Sequence, residues 1–190
     1  MKSKICVCGA FAFETMASGG QPVKTRELFY ALQNCFGKER VISIETLGWK
    51  ERPIGLLRDF MIASKQCSSI IMLPAHNGLI VFSLLLCAAK KIFGCKIFYD
   101  VVGGWLAETV KSNSTLKMRL SKFDGIWVET TTMKKKLSAC GLKNVEVVNN
   151  FKRLRPLKLD EIQSAIHFPL RFCTFSRVME EKGIEDAINA

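Results

Sequence analysis

Short apolar runs alternate with longer stretches in which apolar residues recur three and four apart, and the alternation holds through most of the chain. The runs predict strands near residues 4–8, 40–44, 69–73, 96–101, 125–128 and 145–148. Between them the periodic stretches "TRELFYALQNCF", "IGLLRDFMIASKQ", "GLIVFSLLLCAAKKIF", "TLKMRLSKF" and "TTMKKKLSACG" predict helices, the last capped by Thr130 or Thr131 and stopped at Gly141. Strand and helix in turn, with strands apolar throughout, is the signature of a parallel sheet covered on both faces. The expected fold is therefore α/β, a doubly wound, mostly parallel, Rossmann-like sheet. After residue 148 the pattern lapses. Residues 151–170 read as a connector carrying Pro156 and Pro169, and "LRFCTF" followed by "EEKGIEDAINA" reads as a fresh strand-turn-helix over 171–190. The expected organisation is one domain over 1–150, the connector, and the start of a second domain.

Composition adds three constraints. The most apolar segment gives eleven uncharged residues from Leu79 to Ala89, short of the roughly 20 that span a bilayer, so it reads as a buried helix. The apolar residues 5–13 contain Gly9 and are followed at once by Glu14, so no export signal is expected. Eight cysteines without a CxxC pair, mostly inside apolar runs, read as free buried thiols in a reducing cytoplasm, and two distant histidines give no metal set. The net charge is +11, and residues 111–158 hold twelve Lys or Arg against three acids. Such a stretch suits either phosphate-bearing partners or a solvated helix face.

In an open parallel sheet, ligands bind beyond the carboxyl ends of the strands. The loop after the first strand ends in Gly19 and Gly20, which would let backbone amides at a helix start approach a phosphate, or else form a tight turn. No GxGxxG follows that strand, which argues against a dinucleotide-binding dehydrogenase. The loop after the third strand holds His76, placed to face a substrate or to cap a helix. The loop after the fourth, "YDVVGGWLAE", offers Gly103 and Gly104 as open space and Trp105 as a platform for a sugar or lipid or as packing under a turn, with Asp100 and Glu108 nearby. Near the end, Arg177 and Lys182 stand five apart before Gly183, spaced to present two cations to a diphosphate.

Taken together, "SGGQPVKTRELFYALQ", "VVGGWLAE", "FDGIWVETTTMKKKLSACGLKNVEVVNNFK" and "FSRVMEEKGIEDAINA" resemble bacterial family-four glycosyltransferases of the GT-B fold, especially those that build capsular and other surface polysaccharides. The likeness runs in order through nearly every loop from Gly19 to Ala190. It implies two Rossmann-like domains, an acceptor-side N-terminal one and a donor-side C-terminal one, and a retaining transfer without metal or cofactor. The donor would be a nucleotide sugar, its diphosphate held by Gly19, Gly20, Arg177 and Lys182. The acceptor would be a saccharide or lipid-linked saccharide near Gly103, Gly104 and Trp105, with His76 as a further acceptor-side candidate.

Two departures stand out. The family often carries a histidine just before the acceptor-loop glycine, where this chain has Val102, and the family's later paired glutamates are absent, since the chain ends first. No catalytic residue is assigned on this basis. Residues 171–190 are expected to begin a donor domain whose remainder is missing, which would leave the chain alone inactive. The resemblance places the protein in the cytoplasm, with its basic surface suited to peripheral attachment at the anionic inner face of the membrane. The competing class is a non-catalytic binding module whose basic face takes nucleic acid, membrane or a protein partner. Around residues 134–136 the aromatic residues of a single-strand binder are missing, which disfavours nucleic acid.

Overall fold

The computed structural model describes residues 3–13, 19–74, 76–152, 156, 158, 173 and 183–189. The chain divides into two compact units, Met1–Arg153 and Leu154–Ala190, each of which is described by itself. In the first, β1 (Lys4–Gly9), β2 (Val41–Glu45), β3 (Cys67–Leu73), β4 (Lys96–Asp100), β5 (Gly125–Val128) and β6 (Val145–Val147) form one sheet in the order β2-β1-β3-β4-β5-β6. Every neighbouring pair is parallel. The fold is thus the Rossmann-like, doubly wound α/β architecture that the alternation predicts.

The helices are α1 (Gly20–Phe36), α2 (Pro53–Gln66), α3 (His76–Phe93), α4 (Leu106–Ser112), α5 (Ser114–Leu120) and α6 (Thr131–Ala139). Parallel crossovers share one hand, so reversing the direction of travel across the sheet moves the connecting helix to the opposite face. Among the described residues only the β1-to-β2 connection runs outward in its direction, and α1 lies on the face opposite to the other helices. There Leu28 and Phe29 pack on Val7, Val41, Ile71 and Leu73. The other face meets the larger core, in which Cys6, Cys8, Ile70, Met72, Ile97 and Tyr99 lie under residues of α2 to α6. Successive strand residues therefore serve opposite cores, Val7 one and its neighbours Cys6 and Cys8 the other.

Helix ends follow local chemistry. Thr130 accepts from the Met133 amide at 3.2 Å to open α6. Gly141, at φ 88°, closes it, with its N–H on Ser138 and the Leu142 N–H on Leu137, the paired bonds of a Schellman stop. Helix α1 starts at Gly20 rather than at Thr25, where its apolar period begins. Pro22 falls in the first turn, where a missing N–H costs nothing. Gly9 lets α1 come down onto β1: a Cβ there would stand 3.0 Å from Thr25 Cγ2 and 3.3 Å from Leu73 Cβ.

Helix α4 is an addition to the elements foreseen. Its seven residues bury Leu106, Ala107 and Val110, too short a stripe to register as a period. Cys6, Cys8, Cys67 and Cys95 are buried free thiols as expected, whereas Cys35 and Cys173 are exposed. Burial pushes the Cys8 thiol far up, reinforced by the Glu45 charge, so it packs as an inert apolar group. Among the described residues no helix is long and apolar enough to cross a membrane. The expected strand at 170–175 lies outside the described residues apart from Cys173. In the second unit Gly183, at φ 61°, precedes the short helix α7 (Ile184–Asn189).

Candidate functional site

Neighbours β1 and β3 send the chain in opposite directions, β1 outward to β2 and β3 toward β4. The crevice beyond their carboxyl ends is the switch point at which open α/β sheets bind ligands. The N-terminus of α1 opens into it. Its cap residue, Gly19, is extended at φ −65° and ψ 152° and has no side chain to cap the helix, and the first turn holds no acid. Such a start offers backbone N–H groups and the positive end of the helix dipole to an anion. Among the described residues a Cβ on Gly20 would meet nothing within 4 Å, and the residue is exposed.

The neighbouring side chains hold this helix start in place. Gln21 spans the crevice, its Nε2 donating to the Leu73 carbonyl at the end of β3 at 2.6 Å. The loop leaving β1 is clamped by Glu45 at the end of β2, which accepts from the amides of Phe11 (3.0 Å), Ala12 (2.8 Å) and Leu47 (2.8 Å). Arg26 Nη1 donates to the Phe11 carbonyl at 2.6 Å from the opposite side. These bonds hold Ala12 at φ 51°, a left-handed conformation that a non-glycine residue adopts only when its surroundings fix it.

One turn further on, Lys24 enters the protein. It is 5% exposed, and its ammonium donates to Asp100 Oδ1 at 2.6 Å, Glu129 Oε1 at 3.1 Å and the Val101 carbonyl at 3.2 Å. One helix is thereby tied to the carboxyl ends of β4 and β5. Burial raises the Asp100 carboxyl above its ordinary range; Lys24 pulls it back down, and the Glu129 charge adds to the rise. Two carboxyl groups thus share one ammonium beside the crevice.

Beyond β4, Gly103 and Gly104 are both exposed. Gly103 sits at φ 84°, where a side chain would be strained, and a Cβ on Gly104 would face open space. Trp105 is half-buried. Its indole N–H closes the turn on the Val102 carbonyl at 2.9 Å, and its ring packs against the larger core. The two glycines, more than the ring, give this loop its open surface.

The topology therefore brings Gly19, Gly20, Gly103, Gly104 and Trp105 to the same edge of the sheet. His76 is the first residue of α3, beyond β3, but its side chain lies outside the described residues, as do Arg177 and Lys182 altogether. Glu108 does not join the site: it is exposed and pairs with Lys111 at 2.9 Å. Lys134, Lys135 and Lys136 are exposed along α6. Among the described residues no group of His, Cys, Asp or Glu could hold a metal ion.

Sequence reasoning passed over Lys24, Gln21, Glu45 and Glu129. One signal for Lys24 was available: it lies four residues before Leu28, on the stripe that α1 turns inward. No protein-family model and no curated protein matches the chain.

Proposed function

We propose that residues 1–153 form the acceptor-side domain of a retaining glycosyltransferase. Its reaction moves a sugar from a nucleotide-sugar donor to a saccharide or lipid-linked saccharide in surface-polysaccharide synthesis. The observation that carries this reading is the uncapped, glycine-opened start of α1 at the β1/β3 switch point, on the same sheet edge as the exposed Gly103-Gly104 loop. An anion and a neutral polyol would each find a suitable surface along that edge.

In this reading, the amides at Gly19 and Gly20 and the dipole of α1 face the donor diphosphate. The leaving nucleotide diphosphate is stabilised by fixed hydrogen-bond donors rather than by transfer of a proton from a general acid, so catalysis is electrostatic and positional. Gly103 and Gly104 leave room for the acceptor. Gln21, Glu45 and Lys24 serve the site indirectly by fixing the helix and loop that form it.

Amide NMR of the 190-residue chain tests the assignment with three probes: nucleotide sugars, soluble short-chain polyprenyl-diphosphate saccharides, and duplex DNA. The expected result is that nucleotide sugars shift Gly19 and Gly20, and saccharides shift Gly103, Gly104 and the Trp105 indole. Shifts confined to the α6 lysines on adding DNA, with steep salt dependence and no response to either sugar probe, would replace the transferase with a basic binding module.

A further inference from the structure

Helix α3 is apolar on all sides, yet only one side of it is buried. Leu79, Phe82 and Leu86 enter the core, while Ile80, Leu84 and Ile92 face outward, Ile92 at 67% exposure. A helix apolar all round is one that something covers. The neighbouring helices repeat the pattern. On α2 the outward residues include Ile54, 83% exposed, with Leu57 and Ile62, and on α5 Met118 is more than half exposed. Helix α2 packs beside α3 and α3 beside α5, so these side chains share the outer surface of a single layer. Single exposed apolar residues are ordinary, but their recurrence on three adjacent helices marks an interaction surface.

The charge on this layer selects the occupant. Within α2, α3 and α5 there are six Lys or Arg and one acid, Asp59, which pairs with Arg52 at 3.5 Å. Between α3 and the end of α5 lies a groove of about 460 Å³ lined by Leu84, Cys87 and Ala88, with Lys90, Lys91 and Lys122 around it. Its nearest acid, Asp124, is engaged by Lys90 at 2.7 Å. A second copy of the chain would bring like charge against like charge across a two-fold contact. An anionic bilayer presents the complement: negative headgroups for the lysines and an acyl region for the apolar side chains.

We propose that the outer layer formed by α2, α3 and α5 docks on the surface of an anionic lipid bilayer, inserting its exposed aliphatic side chains while the surrounding lysines contact headgroup phosphates. The basic helix α6, where charge alone would place membrane attachment, exposes no large apolar side chain and is not the docking face. The inference rests on this surface and is independent of the transfer reaction.

Vesicle co-sedimentation of the 190-residue chain tests it, with phosphatidylcholine alone and mixed with phosphatidylglycerol. The expected result is binding to the anionic vesicles, weakened about tenfold or more by Leu84→Glu and by Ile54→Glu. A Lys134→Glu/Lys135→Glu variant on α6 should change it far less. Both apolar positions are solvent-exposed, so circular dichroism of the variants should match that of the parent chain, and Ile54 and Leu84 on separate helices serve as independent checks. Equal binding to neutral and anionic vesicles, or unchanged binding by both glutamate variants, would overturn the proposal. So would a dimer, seen by light scattering without lipid, that Leu84→Glu dissolves, because the face would then belong to a second copy.

Discussion

At the scale of single residues, Lys24 is the most constrained side chain beside the crevice. Removing one partner of a buried ion pair strands the other charge, which costs about 3–5 kcal/mol. Lys24→Met should lose about that much in urea unfolding at neutral pH, since Asp100 and Glu129 would face each other without a cation. The pH dependence of this loss has a definite sign. The folded-state pKa of Asp100 already lies above the unfolded value, so protonation favours the folded form, and this contribution fades as pH rises through the folded value. Without Lys24 the carboxyl rises further. The penalty of Lys24→Met should therefore be largest near neutrality and shrink as the solution is acidified toward the unfolded carboxylate range. A penalty constant with pH would mean that Lys24 acts by packing rather than by charge.

At the scale of elements, α6 shows how local chemistry sets a boundary. Gly141→Ala forces a side chain into a left-handed position and brings its Cβ to 3.1 Å from Lys117 Nζ. It should cost about 1 kcal/mol in urea unfolding, with the helix otherwise intact. This stop was legible in the sequence because glycine at the end of a helical stretch is a local signal, and Thr130 at the start was legible for the same reason. The six strands were legible because each is a short apolar run between turn residues. What escaped notice depended on distance or brevity. Helix α4 is too short to show a period, and Lys24 reaches Asp100 and Glu129 across 76 and 105 residues, with nothing in the local sequence to name its partners. The glycines of the candidate site were visible as types, but only the backbone distinguishes Gly104, open to solvent, from Gly9, pressed against Thr25.

At the scale of the whole molecule, 28 basic residues against 17 acidic ones leave a charge of +11, which repels itself. Salt shortens that repulsion to about 8–10 Å at physiological strength. The urea midpoint at neutral pH should therefore rise as sodium chloride is added from low ionic strength; a fall would show that attractive pairs such as Lys90–Asp124 outweigh the repulsion. The strand order also bears on synthesis. The pairing of β1 with β3 skips β2 in the chain, so that Ile5 meets Val41 on one side and Ser69 on the other. From β4 onward each strand docks on the one made just before it. Near pairings close quickly, so a chain leaving the ribosome can complete the first three strands once Leu73 has emerged and then lengthen the sheet strand by strand. Among the described residues the growing edge of the sheet thus advances with translation and reaches β6, whose three residues make a poor template for a stray strand.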